Sequence, residues 1–144
     1  MINWAMKKDK HAETMFLEAF VVAGAALALK NWCWQFIHPD NPCLPSVQDF
    51  TDGRGYYENI GELIQQLRTD MHHPNVVGHS PPRVMVLGAK GRCGRGAVDL
   101  LKKVGVVEEN IVQWDIEETK DRDGPYPEII ESDIFINTVI KAAS

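Results

Sequence analysis

Arg83-Val84-Met85-Val86-Leu87-Gly88-Ala89-Lys90-Gly91-Arg92-Cys93-Gly94-Arg95-Gly96-Ala97 is the stretch whose reading decides the fold. Val84 to Leu87 is a short unbroken apolar run between Pro82 and Gly88, the pattern of a strand covered on both faces in a parallel sheet. Val98, Leu101 and Val104 then supply the apolar face of a helix, and Gly105 is placed to end it. A strand, a glycine turn and a helix in succession form the context that lifts a glycine motif above chance. The spacing is G-x-x-G-x-x-G, a variant of the dinucleotide fingerprint with Ala89 in its first place and Gly88 before it. Three needs call for glycine here: positive φ in a sharp turn, close approach of backbone to a pyrophosphate, and tight packing of helix on strand. Gly88, Gly91 and Gly94 can meet them. The N–H groups and positive dipole end of the following helix would then hold the anion. No Gly-Lys-Ser/Thr closes the turn, which excludes a P-loop.

Downstream, Asn110 to Asp115 reads as the next strand. It ends in an acid 24 residues after Gly91, near the ~20-residue offset at which a carboxylate takes the adenosine ribose hydroxyls. Asp115 with Glu117 and Glu118 behind it would repel a 2′-phosphate, favouring NAD over NADP. The competing reading is that Asp115 merely opens a turn and the two glutamates are a solvated run. After a loop with Asp121, Asp123, Gly124 and Pro125, the stretch Glu128 to Glu131 leads to a third strand over Ile134 to Val139. The 18 residues between Asp115 and Ile134 exceed the dozen or so that a parallel crossover needs. Ligands bind where successive crossovers diverge, at the carboxyl ends of the strands, so Asn137 to Ile140 would form the floor or rim of a cleft.

Upstream, the apolar block Met15 to Leu29 is broken only by Glu18. Its uninterrupted part, Ala19 to Leu29, is eleven residues, short of the ~20 that a membrane span needs. Lys7, Lys8 and Lys10 before it and Ala26-Leu27-Ala28 within it imitate a signal peptide, against which Asp9, Glu13 and Glu18 count. A helix buried on both sides is the expected alternative, with Ala23 to Ala26 allowing close packing. His38 to Gly55, dense in Pro, Gly, Asp and Asn, reads as a connecting loop. Ile60, Leu63, Ile64, Leu67 and Met71 recur at helical spacing, so Tyr57 to Met71 is expected to be an amphipathic helix. Its wet face would carry Glu58, Glu62, Gln65, Gln66 and Arg68. His72, His73 and His79 fall in the loop after it and show no metal-site spacing, so no metal is assigned.

With 144 residues and 16.2 kDa, the chain suits one domain. Fifteen Lys and Arg against 20 Asp and Glu give a net charge of -5, with a pI near 5.5, the opposite of a nucleic-acid footprint. Cys33, Cys43 and Cys93 form no C-x-x-C pair and fit a reducing compartment, the cytosol or an organelle matrix, with a cytoplasmic location expected.

Arg83 to Asn137, above all Gly91-Arg92-Cys93-Gly94, Trp114-Asp115-Ile116 and Ser132-Asp133-Ile134-Phe135-Ile136-Asn137, closely resembles the nucleotide-binding domain of the NAD-dependent, lysine-forming saccharopine dehydrogenases of fungi. Ala23-Gly24-Ala25-Ala26 and Trp32 resemble the helix that enters that domain. The alanine dehydrogenase and transhydrogenase NAD(H)-binding domains are more distant in the same comparison. The resemblance implies an incomplete Rossmann-like parallel sheet, with residues 1–11 as an irregular tail, 12–80 as a helical entry segment and 83–140 as the βαβ core. It implies NAD as cofactor, held by Gly88, Gly91, Arg92, Cys93, Gly94, Asp115, Thr119 and Ile140. Arg92 and Cys93 would contact the nucleotide, Asp115 the ribose and Thr119 the adenine side. Where the family has Cys-Ile-Tyr, this chain has Thr138-Val139-Ile140, and one residue is added around Asp121 to Gly124. The family's reaction is oxidative cleavage of saccharopine to lysine and 2-oxoglutarate in lysine biosynthesis. The family's catalytic Lys and His belong to a substrate domain with no counterpart in Met1 to His11, so no catalytic residue is assigned. The expected partners are NAD and those metabolites, not nucleic acid or membrane, with self-association through an uncovered sheet edge. The alternatives are a noncatalytic NAD(H)-binding module that acts with a partner protein through Met15 to Leu29, and a membrane-associated factor anchored by the same run.

Overall fold

The computed structural model describes residues 10–43, 45–49, 51–119, 124 and 126–139. Three four-residue strands form a parallel sheet: β1 (Val84–Leu87), β2 (Ile111–Trp114) and β3 (Ile134–Asn137). Their order is β2-β1-β3, with Val84 level with Ile111 on one side and Ile134 on the other. The central strand is the most deeply covered. Val84, Met85 and Val86 are each 0–1% exposed, as an apolar run covered on both faces requires. The second strand starts one residue later than Asn110, which closes a 3-10 turn (Glu108–Asn110). The third stops at Asn137, whose Oδ1 accepts the Val139 N–H at 3.0 Å and bends the chain out of the ladder.

Helix α1 (Lys10–Ile37) begins inside the segment expected to be an irregular tail and runs beyond Leu29 through Trp32, Cys33, Trp34 and Phe36. The apolar stretch is therefore longer than the eleven residues counted between charges. Glu18 to Ile37 has the length and mean hydropathy (1.3) of a membrane span by composition alone, with a third of it buried inside the protein. The expectation of burial on both sides is corrected. Ala25, Ala26, Leu29, Trp32 and Cys33 are buried, whereas Ala19, Phe20, Ala23, Gly24 and Leu27 are exposed. Its packing partners, α2 (Ile60–Met71), α3 (Pro74–Val77) and α4 (Arg92–Lys103), cover the buried face only. Lys30 is 4% exposed and pairs with Asp70 of α2, so the charge that bounded the apolar run in sequence is an interior strut between two helices.

Helix α2 starts three residues after Tyr57 because Asn59 caps it, its side chain accepting the Glu62 N–H. Leu67 is buried and Leu63, Ile64 and Met71 pack on the core, but Ile60, in the first turn, is 56% exposed. The histidines expected in a loop are partly structured. His72 ends α2 with its Nδ1–H donating to the Arg68 carbonyl, His73 caps α3 by accepting the Asn75 N–H, and His79 lies against Phe36. Helix α4 ends in a paired C-terminal motif in which Gly105, at φ 108°, donates to Lys102 and Val106 donates to Leu101. Short helices α5 (Ile116–Thr119) and α6 (Pro127–Ile130) lie in the crossover to β3.

Candidate functional site

The carboxyl ends of all three strands converge on the glycine turn. Gly88 and Ala89 both donate to the Trp114 carbonyl (2.7 and 3.0 Å), and Thr138 donates its N–H to the Leu87 carbonyl at 2.9 Å. The turn is therefore bonded to the ends of β2 and β3 at once. An open cleft of about 520 Å³ lies above it, walled by Gly88, Lys90, Gly91, Arg92 and Cys93, with Asp115 on one side and Thr138 and Val139 on the other.

Two of the three glycines meet the steric needs expected of this turn. Gly88 has φ 86°, and a Cβ there would lie 2.3 Å from the Thr138 hydroxyl. A Cβ on Gly94 would lie 2.0 Å from the Gly88 carbonyl oxygen and 2.7 Å from the Ala89 Cα, a backbone contact that only glycine permits. Gly91 has φ -73° and opens α4 as its N-cap without any side-chain hydrogen bond. In α2 an asparagine oxygen occupies that place; at the start of α4, whose residues Gly91, Arg92 and Cys93 line the cleft, the cap residue has no side chain to offer.

Asp115 stands at the end of β2 and accepts the Lys90 backbone N–H at 3.0 Å, which sets the acid beside the turn 25 positions earlier. The turn-opening role weighed for this residue is visible in the fold. Asp115 also opens α5, and the Glu118 carboxylate reaches back to accept the Asp115 N–H at 2.7 Å, one half of a capping box. Glu118 is thus half-buried against the start of α5, and Glu117 lies at the surface. Cys93 is half-buried in the cleft wall. Arg92 is held at Nε by the Glu18 carboxylate at 2.9 Å. Ile140 lies outside the described residues, as does the Thr119 side chain.

Thr138 and Val139 line the cleft as expected of the stretch after β3, but two specific bonds escaped sequence reasoning. Thr138 donates its hydroxyl to the Leu87 carbonyl at 2.8 Å and shields the Gly88 turn, a contact across 51 positions that no local pattern marks. Asp133 accepts the Arg83 N–H at 2.8 Å and returns its own N–H to the Arg83 carbonyl, fixing the start of β3 against β1. Among the described residues lining the cleft there is no histidine.

No protein-family model matches the chain. Among curated proteins it is 46% identical over 118 residues to the saccharopine dehydrogenase (NAD(+), L-lysine-forming) of Candida glabrata, covering 81% of this chain and 29% of that enzyme. The enzyme of the same name from Yarrowia lipolytica is 44% identical over 81% of this chain and 30% of its own length, and that of Schizosaccharomyces pombe 39% over 81% and 30%. The chain therefore spans about three-tenths of the length of the curated relatives it matches, and over that stretch it is homologous to one portion of these enzymes.

Proposed function

We propose, from the homology of this chain to one portion of the NAD-dependent saccharopine dehydrogenases, that it forms the NAD-binding part of such an enzyme. In that activity saccharopine is oxidatively cleaved to lysine and 2-oxoglutarate, within lysine biosynthesis. The observation that carries the reading is the convergence of the uncapped α4 N-terminus, the Gly88–Gly94 contact and Asp115 at one end of the parallel sheet.

The residues fit the cofactor's chemistry. The first-turn N–H groups of α4 and the Arg92 guanidinium present positive charge to a pyrophosphate, and Gly91 leaves the approach clear. The Asp115 carboxylate accepts from the ribose hydroxyls and disfavours a 2′-phosphate. Thr138 and Val139 close the far wall. NAD, when bound, supplies the hydride acceptor. The proton-transfer groups of the reaction are not assigned to this chain. Residence in the cytosol belongs to the same proposal, and cell fractionation is its measurement.

The test is calorimetric titration of the purified chain with NAD and NADP. Binding of NAD with clear preference over NADP supports the proposal; equal affinity for the two sinks the role of Asp115. A second reading, a noncatalytic module acting with a protein partner, draws on the exposed apolar face of α1, where Phe20 is 61% and Leu27 40% exposed. Nucleotide binding without saccharopine turnover, together with a stoichiometric complex that covers this face, would favour it. Self-association is expected through β2 and β3, the outer strands among the described residues, and sedimentation measures it.

A further inference from the structure

Arg92 stands between two surfaces. On one side it walls the cleft over the glycine turn; on the other, with Glu18, Val22, Ile60 and Leu63, it lines an open groove of about 510 Å³ between α1, α2 and the start of α4. The Glu18 carboxylate reaches it because α4 carries glycine at position 96. A Cβ on Gly96 would lie 3.3 Å from Glu18 Cγ and Oε1 and 3.2 Å from Val22 Cγ2, so the glutamate lies across a helix face from which the side chain is missing. Glycine inside a helix is disfavoured by its backbone entropy, and Gly96 is half-buried. What it allows here is a carboxylate laid along α4 toward Arg92.

The bond uses Nε alone, at 2.9 Å, and both partners are partly open to water, with side chains 42% and 32% exposed. Two opposing effects follow. Glu18 limits the rotamers of Arg92, and it sets a fixed negative charge beside a cationic side chain that, with Lys90, lines the cleft. A solvent-exposed pair orders its side chains only weakly. The carboxylate also repels any anion that the cleft receives; solvent weakens this too, but charge acts across the ~10 Å Debye length and needs no fixed geometry, so it is the larger of the two effects. We propose that Glu18 is an internal counter-anion for Arg92, a residue that lowers the affinity of the turn for the pyrophosphate of the nucleotide. The proposal rests on the reading of this cleft as the NAD site.

Glu18→Gln separates the two effects, since the amide oxygen still accepts from Nε while the charge is gone. In the full chain, calorimetry is expected to show NAD binding about three- to tenfold tighter in Glu18→Gln at low salt, with the gain shrinking as ionic strength rises. Adenosine, which has no phosphate, is expected to bind unchanged. In an Arg92→Ala background the same substitution is expected to change NAD affinity less than about twofold. Unaltered or weaker NAD binding in Glu18→Gln, an equal gain for adenosine, or an equal gain without Arg92 would overturn the proposal. Glu18→Ala, with its unfolding midpoint measured alongside, is expected to shift affinity in the same direction. A folded starting protein that binds no NAD would instead bring down the nucleotide reading itself, and this proposal with it.

Discussion

The Asp115 carboxylate and the Lys90 backbone N–H are joined at 3.0 Å, so the acid that ends β2 is anchored to the turn that follows β1. This one bond places a negative group at the mouth of the cleft and holds the turn in register with the second strand.

Asp115→Asn keeps an oxygen for Lys90 and removes the charge. NAD affinity is expected to fall about ten- to hundredfold, the value of charge-assisted hydrogen bonds to the ribose, with a smaller loss for NADP. Calorimetry with both nucleotides measures the ratio. An unchanged NAD-to-NADP preference would remove Asp115 from the ribose site.

Gly94→Ala drives a Cβ into backbone at 2.0 Å and is expected to cost about 3 kcal/mol or more. Gly96→Ala meets only side-chain atoms at 3.2–3.3 Å and gains helix propensity of about 1 kcal/mol, so it is expected to be near neutral. Urea unfolding of the two variants compares them directly, and equal stability would contradict the packing described for Gly94.

Lys30→Met leaves the Asp70 carboxylate, with a side chain only 16% exposed, facing an apolar interior. The expected loss is about 3 kcal/mol, with most of it recovered when Asp70→Leu is added, because an unpaired buried charge costs more than the pair contributes. A double-mutant cycle by chemical denaturation gives the coupling. Additive losses would mean that the two residues act separately.

Burial, reinforced by the nearby Asp70 carboxylate and partly offset by Lys30, pushes the Cys33 thiol from its ordinary 9.0 up to about 12, and burial likewise lifts Tyr57 from 10.0 to about 12. Both groups are neutral in the fold. A raised folded pKa contributes stability that is complete below the unfolded value, so stability is expected to decline from about pH 9 toward pH 12. In Cys33→Ala the onset moves toward pH 10, where Tyr57 begins to ionise when unfolded. Melting curves across this range test the order. At pH 8, iodoacetamide is expected to modify Cys43 and Cys93 before Cys33, as read by mass spectrometry.

The sheet was legible because Val84–Leu87 and the glycines after it follow rules that act within a few residues, and the structure places β1 at those bounds. The place of Asp115 just past β2 was legible from the apolar run before it. What escaped was set by contacts between distant segments. The one-sided burial of α1 depends on where α2 and α4 land, which an apolar composition cannot convey. The inward turn of Lys30 depends on Asp70, 40 positions away, and the shielding of Gly88 on Thr138, 50 positions away. Helix ends moved for local reasons that a periodicity count overlooks, as Asn59 shows.

The central place of β1 carries a consequence for the order in which the cleft comes into being. Its wall on the β2 side closes over 25 positions, from Lys90 to Asp115, whereas the wall on the β3 side waits for Asp133 to meet Arg83 across 50. Closing the longer loop loses more chain entropy, and on a growing chain its far end is made later. Turn and acid can therefore be in place while Thr138 has yet to arrive over Gly88. During that interval the crevice has one bank, and a nucleotide that needs both would act as a clasp, drawing the last strand home.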